Sequence, residues 1–243
     1  GRRIGFVSAG SNNLAPIDDC MILTDKNRET LKALADKLPQ NEWRPAKKKQ
    51  WTTLDIDEST AVEQVSVNAR LPFMQANTEQ NNAMRRWLSN KLEGLSKECG
   101  VLELFCGSGN FTEVIADCGF ANIIAAEAVT EAIAQLEEKK LPNVSGICAN
   151  VYTEQGLEKV LSKSRDARVL VLDPPRDGLK VSAGLFSKKS RLRDIFYISC
   201  DLATLARDVN MFKEQRFKVK EIQPLDLFPH TPHIECMVHL RKT

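Results

Sequence analysis

From about residue 100 onward, short apolar runs alternate with amphipathic stretches of helical length, and this alternation restricts the fold more than any other feature of the chain. Runs occupy residues 101–105, 123–126, 144–148, 168–172 and 195–199, and a closing pair covers 217–225 and 234–240. Helical patterns open at 111–116 and recur over 130–140, 155–164 and 202–212. Strands alternating with helices in this way predict successive βα units and a parallel sheet, and seven strands with helices between them predict an α/β fold built on a doubly wound, seven-stranded sheet. Residues 78–95 read as an amphipathic helix leading into the first strand, with Asn77 or Thr78 as its N-cap. Upstream the pattern is less regular: 4–7 and 17–23 have strand character, 28–38 helical character, and 39–50 is polar with two prolines and Lys47, Lys48 and Lys49. We therefore divide the chain into a small or truncated α+β region, 1–72, and the α/β domain, 73–243.

Composition adds exclusions. Hydrophobic residues at 42% and charged residues at 27% are those of a globular chain and leave no room for wholesale disorder. A formal net charge of +2 demands no polyanionic partner, so any nucleic-acid surface must be a local patch. The seven cysteines are scattered without a C-x-x-C pair, which argues against a disulfide framework or zinc ribbon and for a reducing compartment. No apolar run approaches the ~20 residues needed to cross a bilayer and no signal-peptide pattern opens the chain, so a cytoplasmic protein without membrane association is expected. The first residue is Gly1 rather than methionine, which points to a processed terminus with sequence missing upstream.

The most informative turn is Leu104-Phe105-Cys106-Gly107-Ser108-Gly109-Asn110-Phe111, a strand entering a glycine turn and then a helix. Glycines let backbone N–H groups approach a ligand, and a helix N-terminus favours negative charge. A dinucleotide fingerprint would place a third glycine where Thr112 stands, which disfavours an NAD-dependent oxidoreductase. Glu127 follows Gly107 by twenty residues at the end of the next strand, where a carboxylate can accept hydrogen bonds from both ribose hydroxyls. The bland alternative is a tight turn with a surface acid, and Cys106 reads as a small residue packed in the loop.

Asp173-Pro174-Pro175-Arg176 follows another apolar strand, and paired prolines make a rigid loop that holds Asp173 at the carboxyl edge of the sheet. Such an acid can order a cofactor amine or a flat substrate, although taken alone a Pro-Pro turn is more often structural. Ser199-Cys200-Asp201 again runs from strand to helix and sets Cys200 at a helix N-terminus, where the dipole lowers a thiol pKa; a lone buried cysteine is more often inert. His230, His233 and Glu235 are metal-ligand types, but prolines and strand geometry scatter their directions, and neither a metal nor an iron–sulfur cluster is expected.

Taken in order, these segments resemble the uracil-5-methyltransferases that form 5-methyluridine in transfer and ribosomal RNA with S-adenosylmethionine. The resemblance covers about residues 71–243 and is carried by Phe73-Met74-Gln75-Ala76-Asn77, the glycine turn, Asp173-Pro174-Pro175-Arg176, Ser199-Cys200 with Thr204-Leu205-Ala206-Arg207-Asp208, and Phe228-Pro229 through Glu235. It implies a Rossmann-like class I methyltransferase domain, an RNA substrate and no obligate protein partner. By position, Cys200 would be the nucleophile and Glu235 the base, while Gln75, Phe105, Gly107, Asn110, Glu127 and Asp173 would contact the cofactor. Leu202 stands where the family usually has proline. The resemblance does not extend to the amino-terminal RNA-binding β-barrel of many relatives, and 39–70 looks shortened.

Two basic clusters could meet phosphate: Arg44, Lys47, Lys48 and Lys49 beside Trp43 and Trp51, and Lys188, Lys189, Arg191 and Arg193. Solvated charge is the commoner reading of such runs, though tryptophans among lysines suit stacking on unpaired bases. The alternative function is an RNA-binding or folding factor that keeps the cofactor pocket but methylates little.

Overall fold

A computed structural model describes residues 3–8, 11, 13–47, 49–68, 77–180, 184–187, 190–227 and 234–243. Gln75, His230, His233, Lys48, Lys188 and Lys189 lie outside the described residues. The chain falls into two compact units, Gly1–Thr78 and Glu79–Thr243.

In the first unit, β1 (Gly5–Val7) pairs antiparallel with β2 (Leu14–Pro16), and α1 spans Asp25–Asp36. The Thr24 hydroxyl caps α1 by accepting from the Asn27 N–H at 3.4 Å. The strand expected over 17–23 is not formed; those residues are turns and bends. The apolar run Cys20 to Leu23 gives the segment strand character, but Asp19 accepts from the Cys20 N–H at 2.8 Å and from Arg28 Nε at 2.7 Å, which spends the segment on local bonds. Trp43 is buried, so it is withdrawn from the base-stacking role its lysine neighbours suggest; Arg44, Lys47 and Lys49 are exposed around it.

The second unit runs α2 (Thr78–Glu93), β3 (Gly100–Leu104), α3 (Asn110–Asp117), β4 (Asn122–Glu127), α4 (Thr130–Glu138), β5 (Val144–Cys148), α5 (Glu154–Lys163), β6 (Ala167–Leu172), β7 (Asp194–Ser199), α6 (Leu202–Glu214), β8 (Phe217–Leu225) and β9 (Glu235–Lys242). The strand order is β5-β4-β3-β6-β7-β9-β8. The first five strands are parallel; β9 is antiparallel to both neighbours and lies between β7 and β8. Alternate residues of each strand feed opposite faces. Leu102, Leu104, Ile124, Leu170, Leu172 and Tyr197 pack with Leu157 of α5 and Leu205 and Phe212 of α6. Val101, Ile123, Val169, Val171, Phe196 and Ile198 pack with α2 and α3 on the other face.

The polar helix α2 is held there by a narrow stripe, since Met84, Leu88 and Leu92 recur at four-residue spacing and are 0% exposed. Burying each is worth roughly 1.5–3 kcal/mol, enough to outweigh the helix's poor intrinsic drive to order. Because β4 and β5 lie on one side of β3 while β6 and β7 lie on the other, the chain reverses direction across the sheet between β3 and β6. The carboxyl ends of these strands form the edge at which α/β proteins hold ligands.

Candidate active site

The glycine turn closes over the end of β4. The Phe105 and Cys106 N–H groups both donate to the Ala126 carbonyl, at 2.9 and 3.1 Å. This bend puts Phe105 at φ +65°, uncommon for a side-chain-bearing residue, and its ring lies 5.3 Å from that of Tyr152. Strained backbone of this kind collects at ligand sites. Gly109 has φ +98°, and a Cβ there would come within 2.6 Å of Leu136 Cδ1, so only glycine closes the turn. At Gly107, by contrast, an added Cβ would meet nothing within 4 Å: the backbone borders open space. Cys106 is buried against Ala125, Ile133 and Leu136, as a packing residue should be.

Glu127 is fixed by three backbone donors. Its Oε1 accepts from Ala128 N–H at 2.7 Å and Val129 N–H at 3.1 Å, and its Oε2 from Gly107 N–H at 3.2 Å. A carboxylate has about four acceptor sites, so one remains open beside the glycine backbone. Asn110 faces α2 instead: its amide and that of Asn81 exchange hydrogen bonds at 2.9 and 3.1 Å, and Arg85 donates to its carbonyl. Thr112 is fully buried and donates to Glu103 at 2.6 Å, so a third glycine here would leave that buried acid without its partner. Burial pushes the Glu103 carboxyl up to about 8.

Asp173, Cys200 and Glu235 come from three adjacent strands and meet at the same edge. Leu172 of β6 is level with Tyr197 of β7, and Ser199 of β7 is paired with Cys236 of β9. The next residue past each strand end is thus Asp173 or Cys200, and Glu235 is the first residue of β9. Asp201 caps α6, accepting from the Thr204 N–H at 2.8 Å, and Cys200 immediately precedes it. Leu202 is the first helical residue, where proline is favoured because the N–H has no partner within the helix; its side chain is 52% exposed, so the departure from proline disturbs no packing.

The expectation of a lowered thiol pKa at Cys200 is overturned. Burial pushes the thiol up, Glu235 and Asp173 add to the rise, and Arg176 pulls against it. Burial likewise raises Glu235 to about 7 and, helped by the Glu235 charge, Asp173 to about 8. Two carboxyls and a thiol compete for negative charge at one edge.

A pH dependence follows. From ordinary values of 3.8 and 4.5, both carboxyls are raised in the folded chain, so the folded state binds more protons than the unfolded one at intermediate pH. Their stabilising contribution is complete below pH ~4 and is lost as pH rises through ~7 and ~8. The Asp173→Asn/Glu235→Gln variant should therefore gain melting temperature over wild type as pH goes from 5 to 8, by about 3 °C or more. Melting curves that shift in parallel would contradict this.

The sequence reading gave no role to Asp208, which ties these pieces together. It is 1% exposed and accepts from Leu179 N–H at 2.7 Å, Tyr197 OH at 2.7 Å and Arg207 Nε at 2.8 Å. Arg207 also donates to the Asp177 carbonyl at 2.9 Å, and Tyr152 OH to that of Gly178 at 2.9 Å. The loop carrying Asp173 and Arg176 is thereby anchored to the helix that follows Cys200. Gly178 sits at φ +68°, and a Cβ there would lie 2.6 Å from both Arg207 Nη2 and Asp208 Oδ2.

Among the described residues no group of three or more His, Cys, Asp or Glu is placed to hold a metal ion, and no helix is long and apolar enough to cross a membrane. All seven cysteines are free thiols.

A doubly wound sheet with this strand order, a glycine turn after its first central strand and an acid ending the next define a class I methyltransferase fold. The profile of the tRNA (uracil-5-)-methyltransferase family matches residues 23–243, and the chain belongs to that family. It is 45% identical over 243 residues to an uncharacterised RNA methyltransferase of Nitrosomonas europaea, covering 100% of this chain and 62% of the relative. It is 35% identical over 176 residues to the 23S rRNA (uracil(1939)-C(5))-methyltransferase of Nitrosococcus oceani, covering 70% of this chain and 38% of the relative. The solved tRNA (uracil-54, C5)-methyltransferase of Pyrococcus abyssi, in complex with S-adenosyl-L-homocysteine, superposes with a TM-score of 0.57 at 26% identity, covering 78% of this chain and 44% of that one. The chain thus spans less than two thirds of the length of these relatives.

Proposed function

We propose that this chain binds S-adenosylmethionine and methylates C5 of a uracil in structured RNA. The observation that carries the reading is the convergence of Cys200, Asp173 and Glu235 from three adjacent strands on the sheet edge that also presents Glu127 and the glycine turn. Uracil C5 is too weak a nucleophile to take a methyl group unaided. Addition of the Cys200 thiolate to C6 moves the C5–C6 π electrons toward O4 and makes C5 reactive, with Arg176 as the cation that favours the thiolate. Bound S-adenosylmethionine supplies the methyl group. Glu235 then takes the proton left on C5, and the returning electron pair expels the Cys200 sulfur. A base with a pKa near the working pH suits this task, and Glu235 at about 7 has one.

On this reading the open acceptor site of Glu127 receives a ribose hydroxyl, and the rigid Asp173 orders the cofactor amine or the base. Phe105 and Gly107 border the cofactor, while Gln75 and Asn110 are assigned there by family resemblance alone. The target uridine must leave its stack to reach Cys200, which favours a folded RNA loop over a duplex. Mass spectrometry of nucleosides from bulk RNA incubated with the protein and S-adenosylmethionine tests the activity. An inactive protein on every RNA offered would favour the binding-factor alternative.

Glu127→Ala should weaken S-adenosylhomocysteine binding roughly 10- to 100-fold, the worth of one or more hydrogen bonds to a charged group. Calorimetric titration decides it. Unchanged affinity, or tighter binding of NAD by wild type, would reject the cofactor assignment.

A further inference from the structure

At the sheet edge opposite the candidate active site, three neighbouring strands present cations in a row. The Arg193 N–H donates to the Arg168 carbonyl at 2.7 Å, and the Lys242 N–H donates to the Arg193 carbonyl at 2.7 Å. Arg168 thus belongs to β6, Arg193 directly precedes β7 and Lys242 ends β9, with backbones locked side by side at roughly 4.8 Å spacing. These residues, with Ser190, Arg191 and Leu192, line a cavity of about 330 Å³. The nearby acid is Asp194, which is 5% exposed and already engaged by His239 and Arg241, both at 2.7 Å. Among the described residues, none of Arg168, Arg191, Arg193 and Lys242 has a carboxylate within ion-pair distance; Lys242 Nζ lies 5.5 Å over the Phe217 ring. With a net charge of only +2 on the whole chain, this concentration of like charge is local.

We propose that this cavity is a phosphate-binding surface that grips the sugar–phosphate backbone of the RNA substrate away from the reacting base. The inference rests on the RNA-methyltransferase reading given above. Arg168 and Asp173 are five residues apart along β6 and its extension, roughly 16 Å at ~3.3 Å per residue, so phosphates held here belong to a part of the RNA remote from the target uridine. Backbone contacts of this kind position a nucleic acid without reading its sequence, and they make binding salt-dependent through counterion release.

The test compares wild type with the Arg168→Ala/Arg191→Ala/Arg193→Ala variant, using deproteinised ribosomal RNA as the probe over a series of salt concentrations. The variant should bind RNA at least about tenfold more weakly at low salt, and the slope of log K against log salt should become shallower by roughly 0.7–0.9 for each cation that contacts phosphate. The KM for RNA should rise while kcat and S-adenosylhomocysteine affinity stay at wild-type values; retained cofactor affinity also reports an intact fold. The triple Arg→Lys variant should keep the wild-type slope. An unchanged slope in the alanine variant, or a wild-type chain that binds no RNA, overturns the proposal. If wild type makes no 5-methyluridine yet the alanine variant loses slope, the methyltransferase reading falls and the phosphate surface stands.

Discussion

Cys200→Ala should reduce 5-methyluridine formation to background and eliminate any covalent species between protein and RNA. Without the sulfur nothing adds to C6, and no other group at this edge can replace it: Asp173 and Glu235 offer only hard carboxyl oxygens, and burial keeps Asp173 mostly protonated near neutral pH in the free chain. Glu235→Gln should fail differently. Addition and methyl transfer need no proton removed from C5, so they proceed, but elimination stalls and turnover falls roughly 10²- to 10⁴-fold, the usual worth of a positioned base. A denaturant-stable adduct between this variant and methylated RNA should accumulate. Denaturing gel electrophoresis with a labelled methyl donor reads both variants. A fully active Cys200→Ala protein would end the covalent mechanism, and a Glu235→Gln variant that turns over normally without adduct would remove Glu235 as the base.

Asp208→Ala should be the most destabilising single change in the second unit outside its apolar core. It strands the Tyr197 hydroxyl and the Leu179 N–H in the interior and frees the Arg207 guanidinium from its carboxylate. Leaving two buried donors without an acceptor costs about 1–3 kcal/mol each, so the melting temperature should fall by about 4 °C or more. Tyr197→Phe removes one donor but keeps the ring against Phe212, at 6.1 Å between centroids, and should cost only about 1–2 kcal/mol. The contrast separates loss of the network from loss of packing. An Asp208→Ala protein melting within about 2 °C of wild type would show that the loop is held by other means.

The strands were legible because burial on both faces of a central sheet leaves unbroken apolar text, as in Val169-Leu170-Val171-Leu172. Their order was not, because nothing in residues 217–225 or 234–240 states which neighbour each prefers. Local rules failed wherever distant groups decided the outcome. Cys200 precedes a helix, yet its burial at the sheet edge, aided by the acids Glu235 and Asp173 from neighbouring strands, sets the direction of its pKa. Residues 20–23 are apolar enough for a strand, yet Asp19 beside them is taken up by Arg28 and the segment turns. The anchoring acid did leave a trace: buried positions on α6 recur as Leu205, Asp208 and Phe212, and a carboxylate in the apolar phase of a helix must have partners waiting. Glu103, inside an otherwise apolar strand, carries the same mark.

The placement of β9 between β7 and β8 also bears on how the protein comes into being on the ribosome. β8 is synthesised before β9 but has no place in the sheet until β9 has been made, because the β9 backbone supplies the bonds to both neighbours. A nascent chain that has produced β3 to β7 therefore carries an open strand edge, and it carries Cys200 without Glu235. Cys200 and Glu235 come together only in the closing step of assembly, so an unfinished chain carries the thiol at a sheet edge that is still unsealed.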